Sequence, residues 1–294
     1  MKKLFASAVA LMSFGFAYSQ ANVDISTQLG NLNEGYVNQS GLMNLNVLTQ
    51  DGNRNYATID QVGAGNANFA LSDGNRNNIN VDQFGILNLN TVEQHGNRNA
   101  ATTLQMGLMN LTDQEQIGNQ NIVSSVQLGA LNRAYQYQEG NLNDASTLQM
   151  GIGNVSDQEQ IGNRNNAAST QLGSDNLVWQ EQWGNRNDAA AMQVGADNFI
   201  WQTQAGNDNT ATHMQAGNDN FADSWQVGND NTTAGLQVGD GNELHQWQWG
   251  NDNTALDLQM GNDNYTFVGQ SGSAHLHLGV QVGNSNTLIV SQSN

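Results

Sequence analysis

The 294-residue chain contains no cysteine and no proline. Without cysteine there is no disulfide framework and no thiolate chemistry. Without proline no ladder donor is lost anywhere, which suits an uninterrupted stack of strands. Basic residues are scarce: eight Lys and Arg stand against 26 Asp and Glu, a net charge of −18. Duplex binding needs a positive face, so nucleic acid is not an expected partner. Long apolar runs are missing as well, with one exception. Leu4 to Ala17 follows Lys2 and Lys3 and precedes the small residues Ser19-Gln20-Ala21. This reads as a secretory signal over residues 1–21, too short and wrongly flanked to remain as a membrane span. Its removal leaves six arginines and a net charge near −20 on residues 22–294.

Signatures of catalysis are lacking too. No G-x-S-x-G, HExxH, P-loop or CxxC pattern occurs, and Gly151-Ile152-Gly153 is a by-product of a glycine repeat. The five histidines, His95, His213, His245, His275 and His277, are scattered. His275 and His277 share one parity and read as a packed core pair rather than a metal site. Neither an enzyme nor a cofactor or metal centre is expected.

What is present is a period. Stepping by 11 from Gln28, 24 of 25 positions are Gln, the exception being Ser72. Two residues on, Gly occupies all 24 positions from Gly30 to Gly283. Three further on, Asn occupies 23 of 24 positions, His275 being the exception. The unit is Q-x-G-x-x-N-x-x-x-x-x. In alternate units Asn follows the glycine, as in Asn53, Asn75 and Asn97, so two similar arcs make one 22-residue repeat. No insertion breaks the count, and residues 22–294 read as a single domain.

The pattern predicts an all-β solenoid with two strands and two turns per 22-residue coil, about 12 coils stacked roughly 4.8 Å apart in a rod on the order of 60 Å long. A folded-back antiparallel meander would not need its turns in register every 11 residues. The chain reversal is expected at glycines such as Gly52, Gly74, Gly96, Gly162 and Gly184. Asn is expected to take the left-handed conformation beside them.

Charge decides which parity is buried. From Asn33 onward the Asn/Gln parity contains one charged residue, Asp257, and the greasier alternate parity contains 17. Burying unpaired carboxylates costs several kcal/mol, more than exposing Leu104 or Met106. The amides therefore face inward, each bonding to its copy one coil away; an unpaired buried amide would cost about 1–3 kcal/mol. The expected core ladder comprises Gln50, Asn55, Ala57 and Gln61; Gln94, Asn99, Ala101 and Gln105; Gln182, Asn187, Ala189 and Gln193; and their equivalents.

"QDGNRNYATIDQ" (50–61) and "QWGNRNDAAAMQ" (182–193) resemble the curlin repeat, Ser/Thr-x5-Gln-x-Gly-x-x-Asn-x-Ala-x3-Gln. The likeness runs over nearly all of residues 22–294. It implies a curli-type subunit, an exported β-solenoid that polymerises into functional amyloid of a biofilm matrix. It also implies other copies of itself, a nucleator subunit and an outer-membrane secretion pore as partners. Two departures stand out: the array is longer than usual, and no glycine-rich segment separates it from the signal.

The array stays in phase to its ends, with Gln28 and Gln39 at one and Gln281 and Gln292 at the other, and no cap blunts either. Head-to-tail growth by strand addition is expected there. All six tryptophans, Trp179, Trp183, Trp201, Trp225, Trp247 and Trp249, fall in the same alternate arcs, with Tyr135, Tyr137, Phe199, Phe221 and Phe267. They are expected to line one side of the rod, for lateral packing, for stacking on a polysaccharide or cell surface, or as cross-strand support. One turn edge carries Arg54, Arg76, Arg98, Arg164 and Arg186, then Asp208, Asp230 and Asp252 at the same repeat position. Asp175, Asp197, Asp219 and Asp263 occupy the other edge. These rows suit solubility and delayed assembly, with calcium bridging as the alternative. A non-polymerising solenoidal adhesin is the competing functional class. Ice binding would need regular threonine rows, which Thr102, Thr170 and Thr210 do not form.

Overall fold

The computed structural model describes residues 21–294. Apart from Ala21, the expected signal segment lies outside them. The described chain begins with β1 (Val23–Asn31), β2 (Glu34–Leu42), β3 (Leu45–Asn53) and β4 (Tyr56–Ala64), and continues in the same manner to β24 (Leu276–Val282) and β25 (Thr287–Ser293). Every pairing is parallel and in register at a separation of 22 residues. The 13 odd-numbered strands form one sheet and the 12 even-numbered strands the other, each in sequence order. This is the expected solenoid of about 12 coils.

The turn differs from the sequence expectation. Gly52 and Asn53 do not reverse the chain; they belong to β3 and pair with Gly30–Asn31 below and Gly74–Asn75 above. Most strands run nine residues, and only two, such as Arg54 and Asn55, connect them. Asn is not the left-handed residue either. That conformation falls on the residue before it, at all 24 equivalent positions: 21 non-glycine residues such as Arg54 (φ 58°), Leu87 (φ 57°) and Asp208 (φ 57°), plus Gly65, Gly153 and Gly241. The reason is directional. Asn55 must keep its side chain inside, so the kink is taken by a neighbour whose side chain points to solvent. Each such residue costs on the order of 1 kcal/mol of strain. The stack compensates by satisfying the turn backbone, with Arg54 N–H donating to Asn31 O at 2.9 Å and Tyr56 N–H to Asn77 O at 2.8 Å.

The glycines have a double role. Gly52, Gly74, Gly96, Gly162 and Gly184 hold φ between 112° and 127°. A Cβ on any of them would also collide with the carbonyl oxygen of the glycine one coil on. Backbone approach between coils therefore excludes every side chain here, which explains the unbroken run of glycine.

The core lies between the two sheets. Alternate residues of each strand are buried, as in β4, where Ala57, Ile59 and Gln61 are sealed and Tyr56 and Val62 are exposed. The polar parity is the inner one; Met106, by contrast, is 46% exposed.

Candidate functional site: amide ladders and outward rows

The even-numbered strands carry an unbroken glutamine ladder from Gln39 through Gln61, Gln83 and Gln105 to Gln281. In each rung Nε2 donates to Oε1 of the glutamine one coil later, at 2.7–3.1 Å. The second N–H of each amide crosses the core to a backbone carbonyl of the other sheet, as Gln61 does to Leu45 O at 3.0 Å. The side chain thereby joins successive coils and ties the two sheets together. Position 57 is buried between the sheets, and its row varies in size from Gly35 and Ala57 to Ile79 and Val123. At Gly35, the equivalent of Ala57, an added Cβ would stand 3.0 Å from both Gln28 Nε2 and Leu48 Cδ2.

The odd-numbered strands carry the matching ladder, with Gln28 donating to Gln50 and an unbroken run from Gln94 to Gln292. Ser72 interrupts it, its hydroxyl reaching Gln94 Oε1 at 3.4 Å. The inner asparagines use their amides differently: Asn55 Nδ2 donates to Gly74 O at 3.0 Å, and Asn33 Oδ1 accepts from Asn55 N–H at 3.0 Å. All twelve residues expected in the core ladder are buried, from Gln50 to Gln193. The glutamines expected at the ends are laddered on one side only: Gln28 is exposed, and Gln39 and Gln292 are half-buried.

Three features escaped sequence reasoning. A second glutamine ladder runs inside the odd sheet from Gln114 through Gln136, Gln158 and Gln180 to Gln202. The Q-x-Q pairs in "DQEQ", "YQYQ" and "WQEQ" were its signal. A short asparagine ladder, Asn46–Asn68–Asn90, ends where Thr112 takes over, leaving Asn90 Oδ1 without a partner. On the odd-to-even turn edge an exposed ladder joins the post-glycine asparagines from Asn31 to Asn251 without a gap.

The histidines do not form the expected pair. His275 Nε2 lies 3.1 Å from Ser271 O, whereas His277 Nε2 is 2.9 Å from Asp257 Oδ1. Asp257, the charged exception among inner residues, also accepts from Gln246 Nε2 at 2.7 Å. Its carboxylate is tolerated inside because both oxygens are engaged. His213 repairs a gap: Ser224 interrupts the second glutamine row, and His213 bridges Gln202 Nε2 at 3.0 Å to Gln246 Oε1 at 3.1 Å. Burial pushes its pKa down to about 4, so it is the neutral ring, accepting at Nδ1 and donating at Nε2.

Outward residues divide by sheet. Every tryptophan lies on an odd-numbered strand, so the tryptophans occupy one face, while Tyr36, Tyr56 and Phe84 lie on the other. Ring contacts connect Trp179, Trp201, Phe199, Phe221, His245, Phe267, Trp247 and Trp249 in succession, beginning with a stacked Trp179–Trp201 pair at 5.4 Å. Cross-strand support is therefore real. Even so, Trp179, Trp183, Trp225 and Trp249 remain 37–45% exposed. Before this stretch the same face is acidic. Asp157 is pushed up to about 6, first by burial between Tyr135 and Trp179, then by Glu159 and Glu181. On the turn edge Arg186 meets Asp208 at 2.6 Å where the arginine row gives way to aspartates.

A parallel two-sheet solenoid with a carboxamide-laddered interior and regular outer faces defines a structural class of protein. Residues 52–85 match the family described as curlin associated repeat. The chain thus carries the curlin repeat, and the same spacing continues on both sides of the matched segment. No curated protein matches the chain. Both repeat and fold are structural in character rather than enzymatic.

Proposed function

We propose that this chain is a structural subunit of extracellular, curli-like amyloid fibres, growing head to tail by strand addition and contributing to a biofilm matrix and surface adhesion. The observation that carries this reading is the polarity of the ladders. Each glutamine gives Nε2 forward and Oε1 backward, as in Gln61 to Gln83, so any exposed rung is a template for an identical rung. The curlin repeat at 52–85 supports an extracellular or cell-surface setting. On this reading the principal partner is another copy of the chain, with a nucleator subunit and an outer-membrane pore serving initiation and export. The purified segment 22–294 should assemble after a lag that preformed seeds abolish, with thioflavin binding and unbranched fibres in electron micrographs. A solution that remains monomeric at high concentration and ignores seeds would overturn it.

The exposed indoles favour one second reading, a non-polymerising adhesin that stacks polysaccharide rings on its aromatic face. It requires monomeric rods whose tryptophan emission shifts on adding the polysaccharide.

A further inference from the structure

The odd-to-even turn edge presents one left-handed residue per coil, its side chain toward solvent. Arg54, Arg76 and Arg98 occupy its first half and Asp208, Asp230 and Asp252 its second, at the same one-coil spacing. Arg186–Asp208 is the only arginine ion pair among the described residues. Arg54, Arg76 and Arg98 therefore form a stacked cationic row with no acid engaging them, and like charges so close repel along the stack. The two rows mirror each other. Arg54 and Asp252, Arg76 and Asp230, and Arg98 and Asp208 are each equally distant from the point midway between Leu142 and Arg164.

We propose that this edge is a self-complementary interface on which a second copy of the rod lies antiparallel. The two-fold axis passes between the coils of Leu142 and Arg164. Arg54, Arg76 and Arg98 of each copy then face Asp252, Asp230 and Asp208 of the other, giving six reciprocal contacts: four to unengaged aspartates and two to Asp208, whose carboxylate is shared with Arg186 of its own copy. At the centre Arg186 and Arg164 fall opposite the neutral Gln120 and Leu142. The flanks agree: Asp51, Asp73 and Glu139 come against Trp249, Val227 and Ile161 of the second copy, so acid does not meet acid. A parallel pair in register would oppose Arg to Arg and Asp to Asp. A parallel pair slid by seven coils would form three Arg–Asp contacts in place of six. In the antiparallel pair both aromatic faces lie on the same side, doubling the width of that surface. The pairing needs no growth at the ends, so it and the fibre reading fail separately.

The chain has no cysteine, so introduced thiols are unique labels. R54C and D252C proteins, mixed and treated with a short bis-maleimide, should yield roughly tenfold more cross-linked dimer than either alone, and 1 M salt should suppress it by screening. Reversing R54D/R76D should abolish pairing in sedimentation, and adding D230R/D252R should restore it. Arg and Asp both occur naturally at this backbone position, so these variants add no strain, and circular dichroism checks their fold. Self-cross-linking of R54C as efficient as the mixture, failure of the double reversal to restore pairing, or a reversal that alters only binding of added polyglutamate would each overturn the proposal.

Discussion

Gln61 gives one amide proton to Gln83 Oε1 at 2.7 Å and the other to Leu45 O in the opposite sheet at 3.0 Å, while its own Oε1 accepts from Gln39 at 2.7 Å. A single buried side chain is fully satisfied, and in being so fixes the axial register and the gap between the sheets. Replacing it with an apolar residue of similar size removes all three bonds and leaves one amide proton of Gln39 and Oε1 of Gln83 without their ladder partners. Gln61→Leu should destabilise the rod by about 2–5 kcal/mol, read as faster hydrogen exchange in β2, β4 and their neighbour Asn78–Ile86. An unchanged exchange profile would contradict the role given to the ladder.

Gly151, near the end of the strand Asp144–Ile152, and Gly153, in the turn that follows it, should respond in opposite ways. A Cβ at Gly151 would meet the Gly173 carbonyl, which is backbone and cannot yield. At Gly153 it would meet only the carboxylate of Asp175, a movable side chain, and the equivalent residue is Asp175 itself one coil later. Gly151→Ala should cost roughly 3 kcal/mol or more, whereas Gly153→Asp should leave the thermal transition within a few degrees of the parent. Equal tolerance at both positions would refute the close-approach argument.

Much of this architecture was legible in the sequence because the stack demands identity from coil to coil. The 11-residue period, the inward amides and the one-sided tryptophans all follow from that demand. The turn was misplaced because Gly52-Asn53 resembles a hairpin signal, whereas in a parallel stack the same glycine serves close backbone approach within a strand. The Gln114–Gln202 ladder was missed because its row holds Leu48, Ala70 and Val92 in the early coils and becomes glutamine only later. Asp257, the exception in the charge argument, could not be matched with His277 by spacing alone, since the two are 20 residues apart and sit two positions out of row.

Acid should loosen the rod near His213. Its folded pKa of about 4 lies below the ordinary imidazole value of 6.5, so the unfolded chain binds the proton more readily. The contribution of the neutral His213 is fully present above pH 6.5 and is lost as pH drops toward 4, by about 3 kcal/mol in total. Hydrogen exchange over residues 210–218 should accelerate across that window. In His213→Thr, with the residue found at the equivalent Thr103 and Thr147, this part of the pH dependence should vanish.

Asp157 works in the opposite direction. Its pKa is raised, to about 6, so protonation favours the folded state, and its unfavourable contribution disappears as pH falls from above 6 toward 4. Asp157→Asn should stabilise the chain at pH 7 by about 1–2 kcal/mol, after allowance for its partial exposure, and should have little effect at pH 4. A variant less stable than the parent at pH 7 would contradict the burial and repulsion assigned to this carboxylate.

Side-chain amide hydrogen exchange of glutamine, resolved by NMR on selectively labelled rods, addresses the amide-lined interior most directly. Nε2 protons of Gln61, Gln105, Gln193 and Gln237 should be protected as strongly as the backbone amides of the strands that carry them. Carboxamide protons that exchange as freely as those of a dissolved peptide, with Leu104 and Met106 shielded instead, would turn the rod inside out.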